Sequence, residues 1–398
     1  MTVRVNKSEF NFREKVTELS SPMGQKGSEL MRSETVYQAR NALSADRKNL
    51  VINGAMSVDQ RNNGSSVTAT DQFVLDRFKL KENTSGSFSI NRDQFPIGDQ
   101  HPEGHRYAMQ IACTSADTSL SSNEHAVIMH MIEGYNIIGT GFGTKAAKNM
   151  TLSFWVKTNV PGTYSVALKN GSQNRCQVKE YLAGMSGTVW EKISVTFSGC
   201  NDGSWVVSAA SGMKITWGLA GAQSTYATTD IDAWKSSNLF LSADQVNFFS
   251  STNNRFFLTG VQLEIGDQST EFEHRSYGEE LALCQRYYQR LDGTQLSGGA
   301  GNDRGIFHAH MWGSNNPYWI HHFSPSMRTG PSLELSSGFS GTWYSGGSTA
   351  THSNMSIQHA NEDRAELAGT HNGSLGQGNS AWFRLATAND FVAFNAEL

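Results

Sequence analysis

A two-residue rhythm constrains this chain more than any other feature. In residues 150–158 (MTLSFWVKT), Leu152, Phe154 and Val156 fall on one side, while Ser153, Trp155 and Lys157 fall on the other. That is the alternation of a strand with one face in a core. The rhythm recurs, imperfectly in places, at 163–170 (TYSVALKN), 190–199 (WEKISVTFSG) and 256–265 (FFLTGVQLEI), each closed by a turn residue. Short alternating runs between Gly, Asn, Ser and Asp turns predict strands in packed sheets. Two strand-like phrases, NLVINGAM at 49–56 and RFFLTGVQLEIG at 255–266, bracket the region. A jelly-roll β-sandwich is therefore expected over 46–277. That length is generous for a jelly roll, so long loops are expected at 93–104 and 221–237, where binding residues tend to gather.

At 398 residues and 43.6 kDa the chain exceeds the usual size of one hydrophobic core, so two domains and an appendage are expected. Glycine at 38 residues against seven prolines fits many tight turns between strands, hence a mainly β chain. A net charge of −4 and a pI near 6.3 provide no overall basic surface to displace phosphate counterions. Nucleic-acid binding by the chain as a whole is not expected; neutral glycans stay open as partners. Cys113, Cys176, Cys200 and Cys284 lie far apart with no CxxC spacing, and nothing at the N-terminus reads as a signal peptide. Synthesis in a cytoplasm with free thiols is the expectation, a Cys176–Cys200 bridge being the minor alternative. No apolar run approaches the roughly 18 residues of a membrane span, so no membrane insertion is expected.

Residues 1–45 differ from the rest, with scattered large apolar side chains, mixed charge and no strand alternation. Such a segment has no core of its own. A short helix from Ser33 as N-cap, with Val36, Arg40 and Leu43 on one face, would need a host surface. Fully extended, the segment reaches on the order of 150 Å, enough to thread along a neighbouring subunit. As an anchor it would attach through Phe10, Phe12, Leu19, Leu30, Val36, Tyr37 and Leu43; the plain alternative is a flexible leader. Residues 279–291 predict a helix, because Leu281, Cys284, Tyr288 and Leu291 recur at helical spacing without a glycine. Under 15 residues is marginal for an isolated helix, so its stripe must pack on something. A linker helix over 278–292 and a compact C-terminal β domain over 293–398 complete the division. The β domain rests on GIFHAHMW, PYWIHHFS and DFVAFNAEL at 305–312, 317–324 and 390–398.

The phrases LSFWVK at 152–157, LTGVQLE at 258–264 and FEHRSYGEELALCQRYYQ at 272–289 occur here as a set. Together they resemble the fibre and spike proteins of tailed bacteriophages, many of them marine. In that family a carbohydrate-binding-module-like jelly roll leads through a short ELALCQRYYQ helix into a small C-terminal β domain. The resemblance spans most of the chain. It implies a virion protein assembled in the host cytoplasm, a homotrimer with the helix stripes against one another, and other head or tail proteins as partners of the N-terminal segment. It further implies attachment to host-surface glycan, with a head fibre, collar or decoration protein lacking a specific receptor as the alternative.

Sugars stack their C–H faces on exposed aromatic rings, so tryptophans outside the core rhythm are the candidate contacts. Trp155 and Trp190 lie in strands and are expected in the core or a second layer. Trp234 follows Asp230 and Asp232 in a polar stretch, where carboxylates would accept sugar hydroxyls. In the C-terminal domain Trp312, Tyr318, Trp319, Trp343 and Tyr344 stand in or beside turn-like sequence, as receptor contacts or as ordinary packing and trimer contacts. His308 and His310 share a strand face, an arrangement that phage needle tips gather from three chains around one metal ion. Here the pair sits among Phe307, Met311 and Trp312, unlike those narrow strands, so polar strand positions and no metal are expected. Asp230, Asp232 and Glu264 are too few to define a calcium site. No GxSxG, HExxH, phosphate loop or Cys–His signature is present. No cofactor and no catalysis are expected, although a glycan depolymerase needs only two carboxylates that spacing does not reveal.

Overall fold

The computed structural model describes residues 48–95, 102, 104–222, 225–292, 305–387 and 389–398. The proposed anchor positions Phe10, Phe12, Leu19, Leu30, Val36, Tyr37 and Leu43 lie outside them, as does most of the 93–104 loop. The expected alternation is realised as two sandwiches. In the first, β1 (Gln72–Leu75), β2 (Phe78–Glu82), β5 (His125–Glu133), β10 (Ser211–Gly221), β7 (Gly162–Asn170) and β8 (Cys176–Ala183) form a six-stranded antiparallel sheet in that order. Facing it, β3 (Ser87–Gln94), β4 (Tyr107–Ser115), β13 (Arg255–Ile265), β6 (Met150–Thr158) and β9 (Glu191–Phe197) form a five-stranded one. Leu152, Phe154 and Val156 point inward with no exposure and meet Trp217, Tyr164 and Phe256 in one core. Trp217 is wholly buried with Phe154 edge-on at 6.0 Å, so Trp217→Ala would cost about 3–5 kcal/mol.

The phrase LTGVQLE marks an irregularity in β13. Its register with β6 shifts between Thr259 and Gln262, and Gly260 takes φ 62°. A Cβ there would sit 2.7 Å from His105 Nε2 and 2.8 Å from Trp155 Cδ1. Both the left-handed backbone and the close neighbours demand glycine. The loop after β10 folds back over the outer face of the six-stranded sheet. There β11 (Ala227–Thr228) and β12 (Leu241–Ser242) pair in parallel, and Phe240 and Leu241 pack on Val127, Ala167 and Val178. Half of that outer face is thereby covered and half stays open.

The helix α1 runs over Tyr277–Gln285, shorter at its end than expected. Ser276 and Glu279 form a reciprocal capping box that starts it upstream of the expected boundary. It stops because Tyr288–Asp292 is claimed as strand β14 by pairing with β23 (Phe391–Asn395). Helical spacing of Tyr288 and Leu291 was thus overridden by a strand partner about a hundred residues away in sequence. The expected trimer stripe is intramolecular. Cys284 and Tyr288 are buried at 0% and 2% exposure, Leu281 packs with Ile52, Val58, Cys284 and Tyr287, and Leu291 packs on the C-terminal core. No described helix is long and apolar enough to cross a membrane.

Polar groups buried around α1 join the sandwiches. Glu133, 1% exposed, accepts from Arg286 at 2.7 and 3.0 Å and from the Tyr287 hydroxyl at 2.8 Å. Arg77 pairs with Glu397 and lies 3.6 Å from the Tyr287 ring centre. Burial, ahead of every other influence, pushes the Tyr287 hydroxyl up to about 12, so it acts as a donor to Glu133.

The second sandwich sets β14, β23 and β17 (Ser332–Leu335) against a seven-stranded sheet. The order of the latter is β19 (Ser348–His352), β18 (Gly341–Ser345), β22 (Ser380–Leu385), β15 (Gly305–Gly313), β16 (Asn316–His322), β21 (Arg364–Ala368) and β20 (Ser356–Ala360). Phe307, Met311, Trp319, Trp343, Phe383 and Phe394 fill the core between them.

Candidate functional site

Strict alternation sorts the C-terminal aromatics into two sets. Trp319 and Trp343 are 5% and 0% exposed, 5.3 Å apart in the core, because PYW and TWY are strand rather than turn sequence. They are packing residues, which corrects their expected role as tip contacts. Their strand neighbours Tyr318 and Tyr344 face outward and are half-buried, and Trp312 is 72% exposed. His308 and His310 lie on the same outer face of β15, both exposed. Among the described residues no group of three or more His, Cys, Asp or Glu is placed to hold a metal.

Register assembles these residues into a platform. Tyr344 is opposite Trp382 and Trp382 is opposite His308, while His310 is opposite Tyr318. Trp382, 37% exposed, stacks on Tyr344 at 4.4 Å and 15°, and Trp312 leans toward Tyr318 at 6.5 Å. The two ring pairs are offset by two strand spacings, about 10 Å, across the sheet and by about three residues, again about 10 Å, along it. Sequence reasoning missed Trp382; the alternation of SAWFRL, with Ala381 and Phe383 inward, is the signal that places it outward.

Beside Tyr318 a depression of about 280 Å³ opens toward the β20 edge. Asn316, Asn354, Ser356, Gln358 and Thr370 line it with Tyr318. Asn354 donates through Nδ2 to Thr370 Oγ1 at 3.2 Å and accepts at Oδ1 from the Thr370 amide at 3.1 Å, and Gln358 donates to Ser356 Oγ at 2.9 Å. Thr370 and Ser356 hold these two amides in place, and the amides keep further donor and acceptor positions for a ligand. Among the described residues no carboxylate lines the depression.

The jelly-roll candidates are otherwise engaged. Trp234 is half-buried against the main core, edge-on to Phe142 and Trp205 at 5.8 and 5.7 Å, and its indole N–H donates to Ser198 O at 2.9 Å. Asp230 pairs with Lys235, and Asp232 with Lys179 at 2.5 Å. Glu264 accepts from the Thr270 amide and hydroxyl at 2.8 and 2.7 Å, closing its own turn. These groups do not converge. Cys113, Cys176, Cys200 and Cys284 are buried free thiols.

No family model matches the chain, and no curated protein matches it. Among solved structures, the chain is similar to the enzymatically active domain of tailspike protein 4 from bacteriophage CBA120. The identity is 11% over 55% of this chain and 21% of that one, with a TM-score of 0.29. It is also similar to the family 11 carbohydrate-binding module of the cellulosomal cellulase Lic26A-Cel5E from Clostridium thermocellum, at 10% identity, 52% and 98% coverage and a TM-score of 0.25. The CBM22-1 xylan-binding domain of Paenibacillus barcinonensis Xyn10C matches at 6% identity, 52% and 99% coverage and a TM-score of 0.24. The chain spans about a fifth of the tailspike domain's length. Likeness at this level says nothing about what this chain binds.

Proposed function

We propose that this chain is a non-catalytic glycan-binding protein, the attachment fibre or spike of a tailed-phage particle. The outer face of its seven-stranded sheet is the sugar-contacting surface. The observation that carries the reading is the platform of Trp312, Tyr318, Tyr344 and Trp382 beside an amide-lined depression. Flat rings offer apolar area to pyranose C–H faces, and fixed amides match hydroxyls in both donor and acceptor roles. A hydrolase needs two carboxylates flanking the bond to be cut, and the depression has none in its lining.

The phage reading rests on the phrase set that ends in ELALCQRYYQ. In that reading residues 1–45 dock on a head or tail protein of the virion, and the chain assembles as a homotrimer in the host cytoplasm. Three linked copies convert weak single sites into avid attachment, because later contacts are intramolecular.

The test is a glycan array and host-cell binding with the full chain and its Trp312→Ala and Trp382→Ala variants. Binding that falls in both variants, with unchanged melting, is expected. Absence of binding to every glycan and cell would replace this reading with that of a head fibre, collar or decoration protein. Turnover of a polysaccharide would overturn the non-catalytic assignment, and a stable 43.6 kDa species in solution would remove the trimer.

A further inference from the structure

The open half of the six-stranded sheet's outer face carries a groove of about 240 Å³ whose charge runs against the chain's net −4. Its floor holds Val127, Met129 and Met131 of β5. Around them stand Lys79 and Lys81 of β2, Lys214 of β10 and Lys169 of β7. Lys169 and Lys214 are direct cross-strand partners, an arrangement of like charges that destabilises an antiparallel pair. Among the described residues Asp71 is the one acidic side chain of the lining, and it is taken by Lys79 at 2.9 Å; Leu398, the last residue, stands in the lining as well. Among the described residues neither Lys81, Lys169 nor Lys214 has an ion-pair partner.

Lys169 is the most constrained of the four. It is 1% exposed, donates to Gln173 Oε1 and Asn238 Oδ1 at 3.2 Å each, and lies 4.6 Å from the Phe240 ring centre. Burial first, and Lys214 second, push its ammonium down to about 7. Between Met129 and Ala167 in register sits Thr216, wholly buried, with its hydroxyl unpartnered. The fold thus holds three lysines without an acidic partner on one sheet face at a cost in stability, and that cost is offset when an anion enters.

We infer that this groove is a second binding site, for an acidic oligosaccharide whose carboxylate or sulfate groups bridge Lys169, Lys214 and Lys81. The inference stands apart from the C-terminal platform, on different residues and a different sheet. The groove's other lining fits a sugar. Gln173 and Asn238 supply amides, and Tyr226 and Phe240 supply an apolar wall. Those two rings stack on each other at 4.8 Å, with His125 edge-on to both. Among the described residues no arginine lines the groove, so an anion is met there by the point charges of ammonium groups and not by a bidentate fork.

Calorimetric titration of the full chain at low and high salt tests this, using an oligogalacturonate, a sulfated galactan oligosaccharide, a neutral galactan oligosaccharide and a short DNA duplex. At least one acidic sugar is expected to bind about tenfold or more tighter than the neutral one, and more weakly at high salt. Which one binds identifies the carboxylate or the sulfate as the recognised group. Lys214→Ser and Lys169→Met are each expected to lose about tenfold of that affinity, the value of one charged hydrogen bond. Lys169→Met keeps the buried volume, and thermal melting verifies that both variants fold. Failure of both acidic sugars to bind, equal binding of the neutral sugar, DNA binding as tight as the best sugar, or folded lysine variants of undiminished affinity would each overturn the assignment.

Discussion

On the seven-stranded sheet the solvent side carries Trp312, Tyr318, Tyr344 and Trp382 without a lysine, whereas on the six-stranded sheet it carries four lysines around a methionine floor. Both sheets are antiparallel, and both bury an apolar inner face. Burial dictates the inner face, so the two interiors use similar residues. The outer face contributes little to folding and is free to differ. In the proposed reading the first, with Arg384 as the cation beside Tyr344, meets C–H surfaces and hydroxyls, and the second meets negative charge.

The comparison holds only if the two faces ride on one body, and Glu133 is where that is most easily broken. It is buried and satisfies both Arg286 and Tyr287. Glu133→Ala would leave the buried Tyr287 hydroxyl and the partly exposed Arg286 guanidinium without their acceptor, a loss of roughly 1–3 kcal/mol. Scanning calorimetry is expected to show one transition for the parent chain, and for the variant an earlier onset resolved into two. An unchanged single transition would mean that the sandwiches are coupled elsewhere.

Whether the faces act independently is sharpened by Trp382→Ala. Loss of a stacked ring from a binding surface costs about 2 kcal/mol, close to thirtyfold in affinity. That loss is expected for a neutral glycan, with the affinity for an acidic oligosaccharide unmoved. Equal losses for both ligands, measured on the same preparation, would show that they share one site.

The interiors were legible in the sequence and the outer faces were not, for one physical reason. Inward positions such as Leu152, Phe154 and Val156 declare themselves within a single strand by alternation. Outward sites are made by register between distant strands. Lys169 meets Lys214 only because β7 pairs with β10, and Tyr344 meets Trp382 only because β18 pairs with β22. Reading WGSNNPYW and GTWYSGG as turns sent Trp319 and Trp343 outward, and alternation across each tyrosine–tryptophan pair corrects it. The helix at 279–291 failed at its end for the same reason, since β23 decides the fate of Tyr288.

The smallest effect separates the faces by pH. Lys169 has its proton held down to about 7, against an ordinary value of 10.5. Its surroundings are Lys214 on β10, Lys79 and Lys81 on β2, Asp71 ahead of β1, His125 on β5, the Cys176 thiol on β8 and, across the same groove, the last residue Leu398. The folded state therefore binds fewer protons than the unfolded state between pH 7 and 10.5. The stability associated with this group is present above that window and lost as pH falls through about 7. An acidic ligand reverses the balance by favouring the ammonium, so binding takes up a proton. Affinity for the acidic oligosaccharide is expected to fall by about tenfold per pH unit at most as pH rises above 7, close to 1.4 kcal/mol. A neutral glycan on the C-terminal face has no charge for that proton to meet, so its affinity over the same interval is expected to stay level. Titrations in two buffers of different ionisation heat measure the proton uptake directly, and an acidic ligand that binds above pH 7 without taking up a proton would exclude Lys169 from the contact.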